Sequence, residues 1–348
     1  MFKGLYVDKP QSLIIKQAQE PELTAKQVRI QTEFAAIKHG TEFHIFSGTS
    51  PFEGRRFDPE LRLFVERDDT SSSGTSTGYY VGNMAVGQVI ETGSDVTKVQ
   101  RGDRVYCYSA TCDLLTKAED EVERLPPSMN EIDAVCLDPA LYAFVAVRDA
   151  GTGVGDTVVV SGLGAIGLFV VQLLKLSGCL HIIATDPIEK RRKLAEKFGA
   201  DLVLDPTTCD VGMEVRTYLG QGADLAIEAS GHYKALSGAM RAVRNCAKVV
   251  TLGYYKGKDT ELELGAEWHH NRLELISSMP VWNNPLRAYP LWTEERVTHT
   301  LKELFIKELI VSDGIVDPIV AFADAARAYL EIYQNPVNAI KLGIRFSS

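Results

Sequence analysis

The apolar positions of this chain follow two rhythms that change near residue 155. Before it, short runs have the spacing of strands: Lys3 to Val7, Ser12 to Gln17 and Gln27 to Phe34, the last reading V-R-I-Q-T-E-F. That near-alternation marks a strand with one face in the core and one in water. Ala85 to Glu91 and Arg104 to Tyr108 extend the series, separated by turns at Gly93 to Asp95 and Gly102-Asp103. Together they predict a small β-rich, barrel-like region. Residues 35–48 read as a polar loop, and residues 49–80, charged and then rich in Ser, Thr and Gly, as a long loop that is a candidate lid or wall. Ser109 to Pro127 is polar and ends at the break Pro126-Pro127. Asn130 to Val147 then has helical spacing, with Asn130 near the cap and Leu137, Ala143 and Val147 on apolar faces.

From Gly155 the rhythm becomes strand, helix, strand. Strands are expected at Thr157 to Val160, Ile182 to Thr185, Leu202 to Leu204, Asp224 to Glu228, Lys248 to Leu252 and Leu273 to Ser277. Helices fall between them at Leu168 to Leu176, Glu189 to Phe198, Met213 to Leu219 and Tyr233 to Val243. Such alternation predicts an α/β fold with a doubly wound parallel sheet. Helices at Val297 to Lys307 and Phe322 to Asn335 follow, and the strand Ala339 to Arg345 is expected to return to the β-rich region, making the first domain discontinuous.

The first strand of this second part runs into G-x-G-x-x-G at Gly162, Gly164 and Gly167. Gly162 permits the tight turn, Gly164 lets backbone approach a pyrophosphate, and Gly167 lets the helix lie close to the strand. The helix N-terminus then faces the phosphates with free N–H groups. Asp186 follows Gly167 by 19 residues, at the end of the next strand, where an acid bonds a ribose 2′-hydroxyl and repels a 2′-phosphate. The pattern points to NAD rather than NADP. In a doubly wound sheet the ligand lies beyond the carboxyl ends of the strands. The expected cofactor rim is therefore Gly162, Leu163, Gly164, Ala165, Ile166, Gly167, Asp186, Ala229, Ser230, Gly253, Tyr254, Ser277 and Ser278.

Composition narrows the classes. A length of 348 residues suggests two domains. A net charge of −9 argues against nucleic acid or an anionic membrane as partner. No apolar run reaches the ~18 residues that span a bilayer, and M-F-K-G-L-Y-V-D-K-P lacks the apolar core of a signal peptide. The six cysteines are scattered without C-x-x-C, as in a reduced cytoplasmic protein with buried thiols. One segment is dense in titratable groups. Residues 38–44 hold Lys38, His39, Thr41, Glu42 and His44 beside an apolar strand.

The order of parts resembles the medium-chain dehydrogenase/reductase superfamily, that of zinc alcohol, sorbitol and threonine dehydrogenases. The resemblance is carried by G-D-R-V at 102–105, G-D-T-V-V-V-S-G-L-G-A-I-G at 155–167, D-P-x-x-x-R at 186–191, F-G-A-D at 198–201 and A-I-E-A-S-G at 226–231. It adds Arg191 to the expected cofactor residues. It implies a GroES-like catalytic domain, residues 1–147 and 309–348, and a Rossmann domain, residues 148–308. The active site would lie in the cleft between them, and homodimers or homotetramers would form through the Rossmann domain. K-H-G-T-E at 38–42 also resembles a threonine dehydrogenase-like or bacteriochlorophyllide dehydrogenase-like branch.

The departures from that family concern its catalytic zinc. By the resemblance, His39 stands where the first cysteine ligand would be, Thr41 at a relay hydroxyl, Glu42 at the acid and His44 at a proton-shuttling histidine. The second ligand motif, G-H-E, is here Gly82-Asn83-Met84, and the third, E-P, is Asp138-Pro139. Amide and thioether groups are poor zinc ligands, and the four-cysteine structural lobe is missing, so the expected site has no metal. A remodelled site on His39, Asp138 and Glu42 is the alternative. Without zinc, Lys38 or His39 would stabilise an alkoxide, and Thr41 would pass a proton toward His44. The bland readings are a solvated Lys38 and an Asp138 that caps the helix around Leu141. The expected activity is NAD-dependent interconversion of a secondary alcohol, such as a polyol, sugar or cyclitol, and its ketone. A zinc-free enoyl or quinone reductase and a non-catalytic NAD(H)-binding sensor are the alternatives.

Overall fold

Two kinds of sheet underlie the two rhythms. The computed structural model describes residues 1–48, 54–66, 77–253, 255, 262–280 and 284–347. Its first elements are β1 (Phe2–Lys9), β2 (Ser12–Ala18), β3 (Gln27–Ala36), α1 (His39–Phe46), β4 (Arg55–Asp58), β5 (Leu63–Glu66) and β6 (Tyr79–Tyr80). Then come β7 (Met84–Thr92), β8 (Arg104–Tyr108), β9 (Leu114–Ala118), β10 (Glu123–Arg124) and α2 (Glu131–Ala150). Strand and helix next alternate through β11 (Thr157–Ser161), α3 (Ala165–Leu176), β12 (His181–Thr185), α4 (Glu189–Lys197), β13 (Leu202–Leu204) and α5 (Val211–Leu219). The series runs on through β14 (Ala223–Glu228), α6 (Tyr233–Ala242), β15 (Val243–Thr251), α7 (Glu267–His270) and β16 (Glu274–Ser277). The last elements are α8 (Glu294–Ile306), β17 (Val316–Ala321), α9 (Ala325–Gln334) and β18 (Lys341–Arg345). The chain divides into two units, Met1–Cys136 with Val316–Ser348, and Leu137–Ile315.

In the first unit β10, β8, β7, β3, β18 and β17 lie side by side, β9 also pairs with β3, and β2, β1 and β6 form a smaller sheet. The alternation read in β3 places Val28, Ile30 and Phe34 inside, and Val28 and Ile30 share one core with Leu5, Phe46, Tyr329 and Ile344. β18 returns to pair antiparallel with β3. β17 was not expected from its sequence V-D-P-I-V-A; it lies at the sheet edge, the position that tolerates a proline.

Two loop assignments need correction, and one polar stretch holds strands that were not expected. Residues 39–46 form α1, held by aromatic contacts that the polar lettering around Gly40 conceals. Within residues 49–80, β4 and β5 pair as a hairpin from Arg55↔Glu66 to Asp58↔Leu63 and Tyr79–Tyr80 form β6; residues 49–53 and 67–76 of the expected lid lie outside the described residues. Residues 109–127 contain β9 and β10, paired with β3 and β8.

In the second unit the order is β13-β12-β11-β14-β15-β16, and the strands are parallel. The order reverses between β11 and β14, so a crevice opens there beyond the strand ends. β11 is apolar because Val158, Val159 and Val160 are fully buried. Among the described residues no helix is long and apolar enough to cross a membrane.

Two glycines bring α3 against β11. Gly162 has φ +89°, and a Cβ on Gly167 would lie 1.8 Å from the Gly162 carbonyl oxygen. Gly167→Ala must therefore push the helix off the strand. The expected loss is about 1–3 kcal/mol, with a lower thermal midpoint and weaker NADH binding; an unchanged midpoint would contradict this packing account.

Candidate active site

The residues expected to hold the cofactor lie in the second unit. α3 begins directly beyond Gly164, where a Cβ would meet nothing within 4 Å, so the backbone there faces open space. Asp186 ends β12 and is 4% exposed, yet its carboxylate is well supplied with donors. Leu163 N–H donates to Oδ2 and Ile188 N–H to Oδ1, both at 2.8 Å, and Arg191 Nη1 lies 3.6 Å from Oδ2. The acid thus ties the glycine turn to the end of the next strand. Ala165, Ile166 and Gly167 open the helix behind that turn.

Glu228, at the end of β14, was not singled out from sequence. It is fully buried, its Oε1 accepts from Ser230 N–H at 2.7 Å and from the Ser230 hydroxyl, and its Oε2 accepts from Gly231 N–H and the Tyr255 hydroxyl. Burial pushes its pKa upward, and the hydrogen bonds from Ser230 and Tyr255 oppose that rise. One carboxylate therefore shapes the rim at Ala229, Ser230 and Gly253. The signal was an acid closing an apolar strand, A-D-L-A-I-E. Ser278 is buried with its N–H on Thr251 O at 2.8 Å, and Ser277 lies beside it, its carbonyl accepting from Arg287. Tyr254 lies outside the described residues.

The residues of segment 38–44 lie at the cap and in the first two turns of α1, in the first unit. Lys38 is the N-cap of α1, and its carbonyl accepts from Thr41 N–H and Glu42 N–H. Thr41 is exposed, while His44 is 5% exposed and so not a surface histidine. His39 stacks on Phe43 with ring centroids 4.8 Å apart; Phe43 and Phe46 meet Tyr329 and Tyr333 of α9 edge-on. The aromatic cluster fixes the helix. Asp138 belongs to the second unit, 3% exposed in the middle of α2. It is not the cap; Asn130 is, accepting from Asp133 N–H at 2.8 Å.

Glu42 turns inward, where Gly82 N–H donates to it while its Oε2 is buried without a hydrogen-bond partner. The hydroxyls of Tyr79 and Tyr329 are in the same condition, and the charge of Glu42 acts on both, pushing their pKa values up beyond the effect of burial. Desolvation raises the Glu42 pKa to about 7, against the Gly82 hydrogen bond. Two thiols of this unit are poor nucleophile candidates, since burial pushes Cys107 up to about 11 and Cys112 to about 12.

Lys341 was missed altogether. It is 3% exposed at the start of β18, and its ammonium donates to Ile37 O and Asn83 Oδ1, each at 3.2 Å. A lysine inside the apolar run A-I-K-L-G-I was the available signal. This cation bears directly on the metal the resemblance implies. A dication against Asn83 would meet the ammonium, and among the described residues no three His, Cys, Asp or Glu side chains are grouped to hold a metal.

With this geometry, residues 24–161 match the model of the alcohol dehydrogenase GroES-like domain, and residues 165–282 that of the zinc-binding dehydrogenases. The chain belongs to the medium-chain dehydrogenase/reductase superfamily and is an alcohol dehydrogenase-like oxidoreductase. It is 36% identical to D-guloside 3-dehydrogenase of Escherichia coli K12, over 99% of this chain and all of that one. L-threonine 3-dehydrogenase of Symbiobacterium thermophilum is 27% identical over 71% of this chain and 73% of its own. Among solved structures, 2R,3R-butanediol dehydrogenase from Bacillus subtilis has the same fold, with a TM-score of 0.78 at 19% identity and 99% of each chain covered.

The Glu42 environment has a pH signature. Its folded-state pKa of about 7 exceeds the ordinary value of 4.5, so the folded chain holds the proton more tightly. Stability from this group is present at low pH and declines as pH rises from 4.5 to about 7. Glu42→Gln should therefore gain stability over the unsubstituted chain across that window and level off above it, in urea titrations at each pH. A difference that does not vary with pH would contradict the assignment.

Proposed function

We propose that this protein oxidises a secondary hydroxyl of a polyhydroxylated substrate, a glycoside, sugar or polyol, with NAD as hydride acceptor and no catalytic metal. The observation that carries the substrate class is the end-to-end likeness to a D-guloside 3-dehydrogenase. The preference for NAD is supported by Asp186, a buried carboxylate on the glycine turn where a 2′-phosphate would be repelled. The metal-free reading is supported by the donor set around Asn83.

The reaction balances with the groups at hand. Hydride leaves the carbinol carbon for C4 of the nicotinamide, the hydroxyl loses its proton, and a ketone and NADH result. Thr41, exposed on the first turn of α1, takes the substrate hydroxyl, and His44, three residues on, receives the proton and exchanges it. Lys38 and His39 add positive or hydrogen-bonding character beside it. A homodimer is part of the proposal: β16 is a sheet edge with Leu275 exposed, the kind of surface on which a second copy adds.

NADH formation should be followed with methyl D-gulosides, other glycosides, polyols and enones, each with NAD and NADP. Turnover of a glycoside or polyol is expected, with NADP at least about tenfold poorer, and Asp186→Ser should narrow that gap. Reduction of enones with NADPH alone would favour an enoyl reductase instead. Tight NADH binding without any turnover would favour a sensor.

A further inference from the structure

Asn83 is held in the first unit through both its backbone and its side chain. Its carbonyl accepts from Ser109 N–H at 3.0 Å. The preceding residue, Gly82, donates its N–H to Glu42 and has no room for a Cβ, which would lie 2.5 Å from Ser109 O. Its side chain faces the buried ammonium of Lys341 at 3.2 Å.

An ammonium has three N–H donors and no acceptor. The end of the amide that faces it must therefore be oxygen, which removes the usual ambiguity in orienting an asparagine. With Oδ1 committed to the ammonium, the Nδ2–H2 group is the remaining end of the amide, on a residue that is only partly buried. The positive charge behind the carbonyl also draws electron density from the amide, making its N–H groups stronger donors. A preorganised, polarised donor is what a developing oxyanion requires.

We propose that Asn83 Nδ2–H2 donates to the reacting oxygen of the substrate, and that Lys341 is the positioning residue that orients and polarises it. The inference rests on the secondary-alcohol reading above and assigns the charge stabilisation in that reaction. As hydride leaves for the nicotinamide and the hydroxyl proton departs, the oxygen carries negative charge until the C=O bond forms. The Asn83 amide is charged with stabilising it, and Lys341 acts through that amide without touching the substrate.

The test uses three variants of the full chain: Asn83→Asp, Lys341→Met and Lys341→Arg. Asn83→Asp keeps the size of the side chain and still pairs with the ammonium, but offers no N–H. It should retain the thermal midpoint and the NADH affinity, while kcat for methyl D-guloside oxidation falls about 100-fold or more with KM little changed. Lys341→Met should lower kcat at least about tenfold, again without loss of NADH binding, and Lys341→Arg should recover most of it. If Lys341→Met does not fold, Asn83→Asp decides. An Asn83→Asp variant with the unsubstituted kcat, or one whose kcat and NADH affinity fall together, overturns the inference alone. No turnover of any secondary alcohol by the unsubstituted protein overturns the reading beneath it.

Discussion

An ammonium taken out of water costs several kcal/mol unless oxygen atoms replace its hydration. Lys341 is held in the first unit under that constraint. Two oxygen partners come from the chain just before α1 and from the turn before β7. Satisfying one charge therefore brings together β18, the entry to α1 and Asn83. The same turn donates Gly82 N–H to Glu42 on α1. The aromatic contacts of Phe43 and Phe46 with α9 keep the helix in place.

The second unit solves the opposite problem. Asp186 and Glu228 are buried carboxylates at the carboxyl ends of β12 and β14, the two parallel strands that flank β11. Each is stabilised by N–H groups of the loops that follow the strands, and so each shapes a loop. Asp186 secures the glycine turn; Glu228 secures the rim at Ser230 and Tyr255. The cradle is rigid because breaking these bonds would strand a charge in a dry place.

The second unit was largely legible from sequence because its constraints are local and leave specific letters. A strand buried on both faces must be apolar, and a helix lying on it requires Gly162 and Gly167 at fixed offsets. The acid Asp186 falls at a fixed distance beyond them. The first unit was less legible because its constraints join distant residues. Lys341 and Asn83 are separated by 258 positions, and nothing near either one announces the pair. α1 was read as a loop because its stability comes from Tyr329 and Tyr333 rather than from its own residues. Lys38 and His39 drew attention as replacements for a metal because they stand beside the missing cysteine. The buried cation facing Asn83 lies instead on the last strand, inside a run that periodicity assigns to the core.

Direct hydride transfer from a secondary carbinol to NAD without a metal would leave its mark in isotope transfer by metal-stripped protein. The protein would be dialysed against a chelator until free of zinc, then given NAD and methyl D-guloside carrying deuterium at C3. The account predicts one deuterium on C4 of the nicotinamide for each NADH formed, at a rate that neither the chelator nor added zinc alters. Loss of turnover on chelation, restored by one equivalent of zinc, would contradict it.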